Sequence, residues 1–209
     1  MVYSKCKICR RQGEKLFLKG EKCSSQKCPI IRRPFPPGQK KKRRTRALSE
    51  YGKELREKQK LRNWYNLGER QFVKYVKEIL QKIGRVEDAP TLLIKKLENR
   101  FDNVIFRFGL SVNRSQARQL ISHKHFVING KPVNAPSYQV KKGDKIGIKQ
   151  SSGKKNVFKD LPTSLKKNKT PNWLEFDIKK MEGTVIGEPT LEEAAPPSEI
   201  STIFEYYSR

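Results

Sequence analysis

Beyond Cys28 the sequence has no cysteine, and its 209 residues include only two histidines, two methionines and two tryptophans. Thiol chemistry is therefore confined to the N-terminus. Long apolar runs are missing as well. Hydrophobic residues make up 35 %, and no stretch approaches the about 20 residues of a membrane-spanning helix, which excludes a helical membrane protein. Met1-Val2-Tyr3-Ser4-Lys5 leads into charge without the apolar segment of a secretory signal, so an oxidising compartment is not expected. Acidic residues are scarce too: 21 Asp+Glu stand against 47 Lys+Arg, a formal charge of +26 with an isoelectric point near 10.1. One charge run is usually a solvated face. An excess spread over most of a chain points instead to a polyanion, because each cation that neutralises a phosphate releases a condensed counterion. Residues 1–50 carry net +13, residues 51–171 net +18 and residues 172–209 net −5, so the tail is expected to pack on protein or face solvent.

The four cysteines that are present, Cys6, Cys9, Cys23 and Cys28, are spaced as C-x2-C, thirteen residues, then C-x4-C. Two short hooks of this kind supply four thiolates to one tetrahedral ion, which predicts a structural Zn2+ site. A redox C-x-x-C belongs beside a βαβ pattern, which is absent here, and two disulfides would need an oxidising compartment. Lys5, Lys7, Arg10, Arg11, Lys22 and Lys27 surround the ligands and offset the formal negative charge of a four-thiolate zinc site; cations in excess of that can face phosphate.

Pro34-Phe35-Pro36-Pro37-Gly38-Gln39 reads as a stiff extended linker, and Lys40-Lys41-Lys42-Arg43-Arg44-Thr45-Arg46 as a basic arm. Helix formers run from Leu48 to Arg62. A second helix carries Phe72, Val73, Val76, Ile79, Leu80 and Ile83 as a stripe, with Gly84 as its stop. Pro90 marks a new helix start, with Leu92, Leu93, Ile94 and Leu97 inward; Phe101, Val104, Ile105 and Phe108 form another stripe, and Asn113 caps a short basic helix. The period then changes to strand. Phe126–Ile128, the Asn129-Gly130 turn and Pro132-Val133 form one hairpin, and Tyr138–Val140 with Lys145–Ile148 a second pair of strands. Residues 151–171 look loosely held. The apolar residues after Trp173 need a core and are expected to return to the 48–84 helices.

Leu97-Glu98-Asn99-Arg100-Phe101-Asp102-Asn103-Val104, Asn113-Arg114-Ser115-Gln116-Ala117-Arg118-Gln119-Leu120-Ile121 and His125-Phe126-Val127-Ile128-Asn129-Gly130 resemble the S-four RNA-binding domain. The cysteine spacing, Pro36-Pro37-Gly38-Gln39, Leu48-Ser49-Glu50-Tyr51-Gly52, Leu55-Arg56-Glu57-Lys58-Gln59-Lys60, Glu69-Arg70-Gln71-Phe72, Pro171-Asn172-Trp173-Leu174-Glu175 and Glu205-Tyr206-Tyr207-Ser208-Arg209 extend the resemblance, nearly end to end, to the bacterial small-subunit ribosomal protein S-four family. Lys124 and Asn66 stand at positions where that family commonly has glycine. Residues 196–203 also depart from its pattern.

The residues and the resemblance together predict an α+β protein: a zinc module and basic arm over 1–47, the zinc resting on the cysteines present here because they vary across the family, a discontinuous helical domain over 48–88 with 172–209, and an inserted RNA-binding domain over 89–171 with its motif core at 97–150. The resemblance implies a primary 16S rRNA-binding protein that nucleates 5′-domain assembly in the cytoplasm and influences decoding accuracy. Ribosomal protein S-five and the mRNA, near where it enters the subunit, are its implied neighbours. In the motif, Asn113, Arg114, Ser115, Arg118, Gln119, His123, Lys124, His125 and Lys131 are the RNA-facing candidates, with Arg114 and Arg118 bracketing phosphates from one helical face. In the N-terminal half the candidates are Arg10, Arg11, Lys22, Arg32, Arg33, Lys40, Lys41, Lys42, Arg43, Arg44, Arg46, Tyr51, Arg56, Lys60, Arg62 and Arg70. An enzymatic reading, a uridine-modifying enzyme that shares the small domain, needs a nucleophilic aspartate. Asp102 is the nearest, yet it sits in an amphipathic helix suited to a local salt bridge, and no convergent acid and base accompany it. A third reading is regulatory, binding of its own messenger as a translational repressor.

Overall fold

The chain divides into two units, Met1–Val86 with Pro196–Arg209, and Glu87–Ala195. A computed structural model describes residues 4–39, 47–81, 88–153, 155, 158, 161, 165, 170–178 and 180–208. Its elements in chain order are α1 (Lys5–Gln12), α2 (Glu21–Ser24), α3 (Pro29–Arg32), α4 (Glu50–Trp64), α5 (Glu69–Leu80), α6 (Ala89–Glu98), α7 (Phe101–Arg107), α8 (Arg114–Ser122), β1 (Phe126–Ile128), β2 (Lys131–Pro132), β3 (Lys145–Ile148), α9 (Gln150–Gly153), β4 (Leu174–Asp177), β5 (Glu182–Val185), α10 (Leu191–Ala194) and α11 (Ile200–Ser208).

Three helices stop by the same device. After α4, α7 and α8 the chain turns left-handed at Asn66 (φ +55°), Gly109 (φ +81°) and Lys124 (φ +57°). In each case that residue's N–H donates to the carbonyl three back, and the next N–H donates to the carbonyl five back, at 2.8–3.2 Å. This pair of bonds is the Schellman closure, which satisfies carbonyls a helix end would otherwise orphan. Glycine adopts the conformation freely and asparagine tolerates it, whereas Lys124 carries a Cβ cost of about 1–2 kcal/mol. At the other end, Ser49 Oγ accepts from Gly52 N–H at 3.3 Å and fixes the start of α4 in spite of that glycine.

In the first unit, Phe72, Tyr75, Val76 and Ile79 form the buried face of α5, and α11 lies on α4. Ile203 is fully buried there, the Tyr206 ring stands 5.4 Å from Tyr51, and Lys58 Nζ sits 4.6 Å above Tyr206. The helix α1 packs on α3 and α4.

The second unit packs α7 and α8 against an antiparallel sheet of order β2-β1-β3-β5-β4. Asn129 (φ +49°) and Gly130 (φ +78°) make the tight turn between β1 and β2, as the Asn-Gly pair predicts. Asn129 also ties that turn to β3: its side-chain amide donates to Asp144 Oδ1 at 2.9 Å and its carbonyl oxygen accepts from Lys145 N–H at 2.9 Å.

Three expectations need correction. The first concerns residues 172–195, which join the second unit rather than the helical one, because β5 pairs with the open edge of β3 and β4 with β5. Of the tail, residues 196–209 alone belong with the first unit. Secondly, Tyr138–Val140 is not a strand partner of β3, whose two edges are taken by β1 and β5; it bonds to the start of α7, through Phe101 N–H to Tyr138 O at 2.9 Å and Val140 N–H to Asn99 O at 2.8 Å. Thirdly, Phe158, Leu161 and Leu165, from the stretch read as loosely held, are buried in the core. Ile83 and Gly84 lie outside the described residues.

Candidate nucleic-acid interface and cysteine cluster

Two buried carboxylates organise the polar side of the second unit. Asp102, 2 % exposed in the first turn of α7, accepts a fork from Arg100 (Nε to Oδ1 3.0 Å, Nη2 to Oδ2 2.7 Å) and two further bonds from Arg118 of α8 (Nε 3.2 Å, Nη2 2.8 Å, both to Oδ2). Asp102 thus serves salt bridges, and the nucleophile reading has no geometric support. Glu98, fully buried at the end of α6, accepts from Arg107 (2.9 and 2.8 Å) and from Asn103 Nδ2 (2.7 Å). Asn103 Oδ1 in turn accepts from Arg114 Nε at 2.8 Å. A carboxylate out of water is tolerated only when its lone pairs are met by charged donors, and both are.

That network corrects part of the predicted RNA face. Arg114 is 8 % exposed, with its guanidinium 4.6 Å above the Phe106 ring, so it holds α8 onto α7 rather than bracketing phosphate. His125, 8 % exposed, shares a hydrogen bond between Nδ1 and Ser152 Oγ at 2.9 Å and meets Phe158 edge-on. Burial, then the charges of Lys155, His123 and Lys149, push its imidazole below the usual histidine range. Asn113 caps α8 by accepting from Gln116 N–H at 3.0 Å. Ser115 is half-buried; Gln119, His123, Lys124 and Lys131 are exposed, and Arg118 keeps 32 % of its side chain exposed. The sequence reading missed Glu98, Arg100, Asn103 and Arg107. The available signal was charge set among the apolar stripes of α6 and α7, where unpaired charge is not sustained.

In the first unit Arg11, Lys22, Arg32, Arg33 and Arg70 are exposed. Others face inward. Arg10 Nε donates to the carbonyls of Arg33 (3.0 Å) and Phe35 (2.9 Å), stapling the proline segment to α1. Arg56 donates to the carbonyl of Gln12. Lys60, 6 % exposed, pairs with Glu57 at 2.8 Å and Glu14 at 3.1 Å. Burial lowers its affinity for a proton, but the bonds and charges of Glu57 and Glu14 outweigh this and hold the ammonium above the usual lysine range. Arg62 bonds Glu69 at 2.8 Å, and burial of Glu69 is outweighed by Lys58 and Arg62, which keep its carboxyl below the usual range. Tyr51 is half exposed, its hydroxyl 3.3 Å from that of Tyr206. Lys40, Lys41, Lys42, Arg43, Arg44 and Arg46 lie outside the described residues. Lys60 therefore serves the fold, contrary to its expected RNA contact.

Cys6, Cys9, Cys23 and Cys28 line one cavity of about 10 Å³ with Lys5, Lys19 and Ile30. Cys9, Cys23 and Cys28 are buried, Cys6 is half-buried, and Lys19 N–H donates to Cys23 Sγ at 3.4 Å. Burial pushes the Cys9 thiol up, and the other three cysteines add to that. By residue type the donor set suits a soft cation. Among the described residues, no group of three or more His, Cys, Asp or Glu is arranged at metal-holding distances.

Residues 2–96 match the family described as "Ribosomal protein S4/S9 N-terminal domain", and residues 100–146 match the "S4 domain". The chain belongs to the uS4 family. It is 44 % identical over 205 residues to small ribosomal subunit protein uS4 of Thermotoga maritima, covering 98 % of this chain and 96 % of the relative. Against the same protein of Kosmotoga olearia the identity is 45 %, and against that of Thermus thermophilus 42 %, each over 204 residues with the same coverage. Membership of uS4 assigns the chain a structural rather than an enzymatic role. The two family matches are separated by residues 97–99, inside the second unit, and Glu98 in that interval is bonded to Asn103 and Arg107 of the S4-domain match. Among the described residues no helix is long and apolar enough to cross a membrane.

Proposed function

We propose that this protein is a structural constituent of the small ribosomal subunit in the cytoplasm. It binds the 5′ domain of 16S rRNA early in assembly, beside ribosomal protein S-five and close to where mRNA enters, and so contributes to decoding accuracy. The observation that carries the RNA-binding reading is the division of labour among cations. Lys60 and Arg62 are paired with carboxylates within the fold and Arg114 is buried against Asn103 and Phe106, while Lys22, Arg32, Arg33 and Arg70 on one unit and Lys124 and Lys131 on the other stay at the surface. Surface cations next to folded helices suit phosphate contacts, which position an RNA without reading its sequence. The Lys40–Arg46 run adds six cations in seven residues.

The test is a salt titration of binding to a 5′-domain rRNA fragment, with tRNA and an unrelated duplex as competitors. Tight binding that resists both competitors is expected. Equal binding to all three, erased by salt, would overturn the reading. Replacing Lys40 to Arg44 with serine should weaken binding and flatten the salt slope by several units.

For the cysteine cluster the proposed occupant is one Zn2+ held by Cys6, Cys9, Cys23 and Cys28, supported by their shared cavity and four-thiol chemistry. Bound there, zinc supplies a structural cross-link for α1–α3 and no reaction chemistry. Elemental analysis should find one zinc per chain, lost in Cys9→Ser.

A further inference from the structure

The Asp102 carboxylate holds two guanidinium groups, one buried and one at the surface. Arg100 is 1 % exposed and bonded to both oxygens, so it cannot turn to solvent. Arg118 approaches Oδ2 from the other side through Nε and Nη2, while about a third of its side chain remains exposed. Of the two arginines on Asp102, Arg118 is the one that reaches solvent. With one edge of its guanidinium pinned, the Nη1 group and the second Nη2 N–H are left for an outside acceptor. Its neighbours on that turn, Gln119 and Ser122, are exposed, and Ser122 Oγ is directed back to the Arg118 carbonyl at 3.0 Å. Arg114, one turn earlier, is buried and cannot share the task.

We infer that Asp102 is a positioning residue for a nucleic-acid phosphate bound by Arg118. Asp102 holds a pre-oriented guanidinium at the surface of α8, and Arg100 beneath it bonds both Asp102 oxygens and fixes the carboxylate. The phosphate site is one arginine backed by a buried carboxylate, instead of the two-arginine bracket that the i, i+4 spacing suggests. A guanidinium held in place loses less rotamer entropy on meeting an anion than one on a mobile stem. This inference rests on the rRNA-binding reading.

The experiment measures affinity and salt slope of the full-length protein for the 5′-domain rRNA fragment. Arg118→Gln should lower the log–log salt slope by about one and weaken binding about tenfold; Arg118→Lys, which keeps the charge but not the fork, should keep the slope and still lose most of that affinity. In an Arg100→Met/Asp102→Asn background, where no buried cation is stranded, the effect of Arg118→Gln should shrink to less than about threefold. An undiminished effect there would overturn the positioning role, because a merely structural Asp102 lowers melting temperature without altering this coupling. If the double variant does not fold, Arg118→Lys decides alone, and binding equal to wild type overturns the inference. Wild-type protein that does not discriminate the 5′-domain fragment from tRNA would fell the functional reading instead.

Discussion

Gly183 stands on β5 opposite Ile146 of β3 and Phe176 of β4, and its missing side chain is filled by the ring of Phe108. A Cβ there would lie 2.7 Å from Phe108 Cε1, 2.8 Å from Cε2 and closer still to Cζ. Those distances are inside the 3.0 Å that real Cβ contacts essentially never show. The ring cannot swing aside: Phe108 is fully buried and packs 5.4 Å from Phe176. Gly183→Ala must therefore shift either the ring or the strand, at an overpacking cost of about 1–3 kcal/mol. For a unit of this size that corresponds to a fall of about 5–20 °C in its melting temperature. Gly187→Ala is the control in the same segment, since its Cβ would make ordinary contact with Trp173 Cβ at 3.6 Å, and its cost should stay within about 0.5 kcal/mol. Scanning calorimetry of both variants, with limited proteolysis to locate the loosened unit, decides the matter. Phe108→Leu in the Gly183→Ala background should recover part of the loss by opening the space. Melting temperatures that coincide for Gly183→Ala and Gly187→Ala would refute the packing argument.

Glu98→Gln should destabilise the second unit by about 3 kcal/mol, read by urea unfolding, because it removes the buried negative charge that the Arg107 guanidinium grips with two bonds. Lys124→Gly should stabilise by about 1 kcal/mol in the same assay, since it removes the Cβ from a left-handed position and leaves the closure of α8 intact. His125 binds its proton less readily in the native state than in the unfolded chain, owing to burial and then to Lys155, His123 and Lys149. Its contribution is therefore intact above the unfolded value of about 6.5 and lost as pH falls through the lowered native value. Urea midpoints at about pH 7.5 and about pH 5 should converge in His125→Gln; an unchanged pH dependence would exclude His125 as the source. Cys9→Ser, or a strong chelator, should increase proteolysis within residues 4–39 while the second unit's melting stays put; a global loss of structure would contradict this division.

The local rules of the chain were legible without a structure. The stripe of Phe72, Val76 and Ile79, the Asn113 cap, the Asn129-Gly130 turn and the left-handed stress at Asn66 and Lys124 each depend on a few neighbouring residues, so sequence spacing is sufficient. Composition likewise pointed to a polyanion as the partner of a chain of charge +26. What the sequence did not determine is long-range. The edge of β3 could be filled from either side of the chain, and it is β5, from residues that looked like a returning tail, that takes it. Arginines four apart on α8 look equivalent in one dimension. The tertiary structure separates them: Asn103 and Phe106 close over Arg114, while Asp102, already holding Arg100, leaves Arg118 at the surface. Burial and charge neutralisation are properties of what folds on top of a residue, and that is decided by packing between α7 and α8, not by the order of residues within either.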